Sequence, residues 1–280
     1  MNVIGCLLLR RAWMEKFITA LKGLAIGGTM LVPGVSGGSM AMILGIYDKL
    51  IAAIGDFRKK PKNNIIFLGF FVLGALIGIV LFAKPLGSLI ERFPKPMMFF
   101  FMGAVAGGLP MIYKESGVKK FTWRQPVFIG VGLLIVVLLS FIPEDIFNAG
   151  NLKGVSGALV LVVAGIVLAI ALVLPGISVS YMLLVMGLYE QTLEAISNVN
   201  IAFLAPLFGG VFLGILLTTK LLSLLMEKYP EKIYLIILGF VGGALIQAFP
   251  GVPVGVEWIV CVILMALGFY LIWMLSKKKA

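Results

Sequence analysis

The chain has 280 residues, of which 61% are hydrophobic and 12% charged, and its mean hydropathy is +1.13. Soluble domains are roughly half apolar, so this composition excludes a water-facing globule and makes the bilayer the solvent. Histidine is absent and the two cysteines, Cys6 and Cys261, are distant and in apolar settings, so no metal, cofactor or disulfide framework is expected.

In chain order, residues 1–20 read as an interfacial amphipathic helix, with Arg10, Arg11 and Lys16 toward headgroups and Trp13 and Phe17 toward acyl chains. A first repeat follows over 21–150: a re-entrant hairpin at 21–54 broken at Pro33, then spans at 64–83, 97–113 and 126–143. A second repeat fills 151–280: a hairpin at 155–197 broken at Pro175, then spans at 201–219, 232–249 and 254–275. Each span is about the 20 residues that a hydrocarbon core requires. The expected fold is all-α and membrane-embedded, an inverted repeat of six transmembrane helices plus two broken re-entrant hairpins.

The repeat is read from alignment. GLAIGGTMLVPGVSGGSMAMILGIYDKLIAAI, from Gly23, aligns with GIVLAIALVLPGISVSYMLLVMGLYEQTLEAI, from Gly165, at an offset of 142 that pairs Pro33, Gly34, Ser36, Met40, Gly45 and Tyr47 with Pro175, Gly176, Ser178, Met182, Gly187 and Tyr189. The next segments align at an offset of 136, which pairs Gly74, Gly78, Lys84, Glu91, Gly103 and Gly107 with Gly210, Gly214, Lys220, Glu227, Gly239 and Gly243. Self-similarity of this extent marks a duplication. The glycines spaced by four suit close helix packing in lipid. If each Pro-Gly segment returns to its own side, each half crosses an odd number of times and the halves are inverted. All basic residues except Lys84, Arg92, Lys95 and Lys153, or 19 of 23, then fall on one side, which the positive-inside rule makes cytoplasmic along with both termini. The net charge of +11 is on this reading a topology signal, and no nucleic-acid partner is expected.

Proline breaks a helix and glycine tolerates the angles that follow, while unwound backbone at membrane depth survives only beside protein or a wet cavity. Ser36, Ser39, Ser178 and Ser180 follow the two breaks as candidate caps, and the free amides of the returning half-helices suit an anion. The candidate binding residues are Pro33, Gly34, Val35, Ser36, Gly37, Gly38 and Ser39 in the first loop, and Pro175, Gly176, Ile177, Ser178, Ser180 and Tyr181 in the second. The competing reading is a pair of capped kinks. Asp48 and Glu190, beside Tyr47 and Tyr189, read as interfacial anchors, and Lys84, Arg92 and Lys220 as snorkelling cations.

The duplicated VPGVSGGSMAMILGIYD and LPGISVSYMLLVMGLYE resemble the polyprenyl-phosphate transporter family of bacterial membrane proteins, over nearly the whole chain. The resemblance implies a flippase that returns undecaprenyl phosphate from the outer to the inner leaflet for cell-envelope synthesis, in the bacterial cytoplasmic membrane and with no catalytic residues. Lys84 and Arg92 would attract the lipid phosphate outside and Lys220 would receive it inside; Asp48 and Glu190 are candidate proton carriers. Many relatives carry an acidic or amide residue where this chain has Met30 and a glycine where it has Val179, so a carboxylate role at Met30 is excluded and the second loop is expected to be tighter and drier. The alternative is an undecaprenyl pyrophosphate phosphatase-like enzyme, which uses a Pro-Gly-x-Ser-Arg-Ser loop and paired glutamates. Here Gly37 and Val179 follow the motif serines and no Glu-Glu pair occurs, so the hydrolytic groups are missing.

Overall fold

The computed structural model describes residues 3–32, 35–118, 120, 122–139, 141 and 154–277, with the side chains of residues 3–9, 11, 12 and 277 left out; Pro33, Gly34, Arg11 and Lys153 lie outside that description. Twelve α-helices occur among the described residues: α1 (Val3–Thr29), α2 (Gly37–Ile43), α3 (Tyr47–Gly55), α4 (Pro61–Arg92), α5 (Pro94–Glu115), α6 (Arg124–Leu139), α7 (Gly154–Val173), α8 (Val179–Val185), α9 (Tyr189–Ser197), α10 (Ile201–Lys228), α11 (Pro230–Gln247) and α12 (Glu257–Lys277). The all-helical membrane class expected from composition is the one the chain adopts.

Among the described residues six helices are long and apolar enough to cross a bilayer: α4, α5, α7, α10, α11 and α12. The segment read as the span 126–143 is described from Arg124 to Leu139 as the helix α6, and the first arm of the second hairpin forms the 20-residue helix α7. At the amino end, α1 runs unbroken through the stretch read as an interfacial helix and into the first arm of the hairpin. Trp13 and Phe17 are exposed on it, and Lys16 lies 5.3 Å over the Trp13 ring. The pair α2 and α3 is bent by 116°.

Both alignments recur in the packing. Gly74 abuts the carbonyl of Ala20 and Gly78 that of Leu24, which joins α4 to α1; Gly23 abuts the carbonyl of Phe71. At the corresponding positions Gly210 abuts the carbonyl of Val162 and Gly165 that of Leu207, which joins α10 to α7. A Cβ at any of these sites would collide with backbone, so only glycine permits the approach. Residue numbers rise together along each pair, so the paired helices are parallel.

The chain forms two compact units, Met1–Gly108 with Ala248–Ala280, and Leu109–Gln247. These are not the sequence repeats. In the first unit α12 packs on α5, with Gly103 against the carbonyl of Met265 and Gly268 against that of Phe100. In the second, α6 packs on α11, with Gly239 against the carbonyl of Ile129 and Gly132 against that of Ile236. The last helix of each repeat has therefore been exchanged.

Candidate functional site

The first break follows Thr29. The backbone turns through bonds from the Leu31 amide to Gly28 and the Val32 amide to Thr29, at 3.4 and 3.1 Å. Ser36 is then extended (φ −89°, ψ 139°) and caps α2: its Oγ accepts from the Ser39 amide at 3.2 Å and lies 3.2 Å from the Ser39 hydroxyl. Both serines are buried, at 8% and 2% exposure. The first two amides of α2, on Gly37 and Gly38, precede the helix's own hydrogen-bond ladder. Beside Gly37, the Met30 sulfur lies 2.9 Å from where a Cβ would stand. Met30 thus packs against the loop with a flexible apolar side chain in the place where a carboxylate role is excluded.

The second break repeats this construction. Ser178 (φ −88°, ψ 127°) caps α8 by accepting from the Tyr181 amide at 3.4 Å. Gly176 has φ +88° and lies against the carbonyl of Phe240, so α11 presses on a residue that must be glycine. The Tyr181 hydroxyl donates to the carbonyl of Leu139 at 3.1 Å, and the Gln247 amide donates to that of Val136 at 3.1 Å. Those two bonds tie Tyr181 and Gln247 to carbonyls in the last described turn of α6.

The expectation of a tighter, drier second loop fits only part of it. Pro175, Gly176 and Ile177 are buried, but Ser178 is half-buried and Ser180 exposed, whereas both serines of the first loop are buried. The physical reason lies in the register: Tyr181 occupies the position of Ser39 and spends its hydroxyl on α6, so no second serine joins the cap.

Each short helix ends in the same way. Gly45 (φ +58°) and Gly187 (φ +67°) take the left-handed position, and the next amides, Ile46 and Leu188, reach back to Ala41 and Leu183, at 2.9 Å in both cases. Asp48 and Glu190 follow in the first turns of α3 and α9, both exposed, where a negative charge suits the helix dipole. Lys84, Arg92 and Lys220 are also exposed. Because Gly28 faces the Phe82 ring, Lys84 lies half a turn past the end of α1, near the level of the first break. Gly214 faces Ala169, which by the same parallel register brings Lys220 level with Pro175. Arg92 closes α4, with its guanidinium 5.6 Å over the Phe93 ring.

The structure thus brings Ser36 to Ser39 and Ser178 to Tyr181 by cap geometry. Sequence reasoning missed Lys22, which is half-buried on α1 and donates from Nζ to the Gly45 carbonyl at 3.4 Å. The available signal was its place within the apolar run that follows Phe17.

No solved structure matches the chain. A relative from Staphylococcus aureus named polyprenyl-phosphate transporter is 34% identical over 276 residues, covering 95% of this chain and 98% of the relative. A second protein of that name, from Vibrio cholerae, is 28% identical over 258 residues, covering 85% of this chain and 79% of its own length. The family model described as undecaprenyl phosphate translocase-like matches residues 26–259, which take in both capped breaks and most of both repeats, and the chain belongs to that family.

Proposed function

We propose that this protein is a polyprenyl-phosphate transporter that carries undecaprenyl phosphate from the outer to the inner leaflet of the bacterial cytoplasmic membrane, without a catalytic step. The observation that carries the reading is near full-length similarity to a protein named polyprenyl-phosphate transporter, in a chain whose two helix breaks are built alike around a serine cap. The Ser36 to Ser39 segment, with Pro33, Gly34 and Val35, cradles the phosphate in one access state. Pro175, Gly176, Ile177, Ser178, Ser180 and Tyr181 do so in the other. Lys84 and Lys220, at the levels of the two breaks, and Arg92 draw the headgroup toward them.

Inversion of the repeats is supported by the odd number of crossings that each half makes when its Pro-Gly segment returns to its own side, which places the basic loops at 55–63 and 114–125 on the cytoplasmic face with both termini.

Inward movement of one negative charge against an inside-negative potential costs about 2.3 kcal/mol per 100 mV. Asp48 and Glu190, at corresponding bends, are the proposed carriers of a compensating proton. Proteoliposomes containing undecaprenyl phosphate test the reading through the lipid's exchange between leaflets. Inorganic phosphate release from undecaprenyl pyrophosphate, without leaflet exchange, would instead identify a phosphatase-like enzyme.

A further inference from the structure

The turns that join the long helices of each repeat are built alike. Phe93, between α4 and α5, and Tyr229, between α10 and α11, share φ −135°, and their amides donate to the carbonyls of Leu89 and Leu225. Each follows a cation that lies over its ring, Arg92 at 5.6 Å and Lys228 at 5.3 Å. The chemistry of the two turns then differs. In the first, Lys95 is engaged, with Glu257 at 3.6 Å and the Val252 carbonyl at 3.2 Å. In the second, Lys232 lies 5.0 Å over the same Tyr229 ring as Lys228 and 5.8 Å over Phe128 of α6. Pro96 stands at the position that matches Lys232, so this second cation belongs to one repeat only.

Two ammonium groups that share one ring lie within about 10 Å of each other. Arg124, which opens α6, stands one turn before Phe128 on the same helix face and adds a third charge. All three cations are exposed, and among the described residues none has a carboxylate in ion-pair contact, although Glu227 and Glu231 flank the two lysines in sequence. The rings hold the ammonium groups in place without neutralising them, as a carboxylate would. Since α10 and α11 are both long apolar helices, the turn between them lies at a membrane surface. From the cluster, the exposed Val127, Val131, Leu134 and Leu138 form an apolar stripe along α6 at helical spacing. A free anion would use only the cations, whereas an anionic amphiphile uses the cations and the stripe together.

We propose that Arg124, Lys228 and Lys232, framed by Tyr229 and Phe128, hold the headgroup of an anionic diacyl phospholipid, with an acyl chain along the α6 stripe. Basic clusters at the ends of membrane helices attract such lipids by charge, and the orientation proposed above puts this one in the cytoplasmic leaflet. The lipid is a fixed neighbour of α6 and α11, separate from the carrier that the transport reading assigns as cargo.

The test titrates delipidated full-length protein in detergent with phosphatidylglycerol or with phosphatidylcholine, whose phosphate is offset by a quaternary ammonium, and follows binding by native mass spectrometry. Wild type should bind one phosphatidylglycerol about tenfold or more tightly than phosphatidylcholine. Lys228→Gln with Lys232→Gln should weaken phosphatidylglycerol binding about fivefold for each lysine removed and leave phosphatidylcholine unaffected. Lys60→Gln with Lys62→Gln, which removes as much exposed charge from another loop, should leave the preference intact. Equal binding of the two lipids by wild type, or an equal loss in the Lys60 and Lys62 pair, overturns the proposal. Displacement of phosphatidylglycerol by inorganic phosphate also overturns it, by marking a free-anion site, as does displacement by an equal amount of undecaprenyl phosphate, by placing the cluster on the cargo path. The wild-type arm decides the matter even where a variant fails to fold, and no arm depends on transport.

Discussion

Gly176 offers a direct test of how the second loop is held. Substitution by alanine imposes two costs: a side chain at φ +88°, about 1–2 kcal/mol, and a Cβ driven into the Phe240 carbonyl with the Val241 amide 3.0 Å away. The collision involves backbone on both sides, so relief requires α8 to lift from α11, an overpacking cost of about 1–3 kcal/mol. Gly251 isolates the first cost, having φ +89° with open space around its Cβ position. Thermal unfolding in nanodiscs should rank wild type above Gly251→Ala and that above Gly176→Ala, with the last gap on the order of 5 °C. If the two variants melt together, α11 does not press on the loop and the packing argument is wrong.

Gly37→Val should fold, because only the flexible Met30 side chain must give way, yet it should abolish lipid exchange by blocking phosphate approach to the first amides of α2; wild-type exchange in that variant would reduce the loop to a kink. Ser36→Ala should destabilise the protein by about 1 kcal/mol through loss of the cap, read by chemical denaturation. In a background lacking Cys6 and Cys261, Arg58→Cys should react with an impermeant thiol reagent only from the cytoplasmic face, and labelling only from outside would reverse the proposed orientation.

Much of the fold was legible because its signals are local. Proline and glycine mark both breaks, Ser36 and Ser178 mark both caps, and the glycine pairs mark the faces where α1 meets α4 and α7 meets α10. The paired Gly45 and Gly187 were visible in the alignment, but that they close a helix and turn the chain emerges only from their backbone angles. The exchange of α6 and α12 was hidden, since glycines such as Gly132 and Gly268 announce a close partner without naming it.

The central claim is tested most directly by the leaflet exchange of undecaprenyl phosphate in liposomes with and without the purified protein, read as the fraction of lipid accessible to an external phosphatase over time. The account predicts that protein makes the inner-leaflet pool accessible at a rate proportional to its amount, and that undecaprenyl pyrophosphate releases no phosphate to it. Exchange no faster than in protein-free liposomes, with the protein folded, would contradict the account.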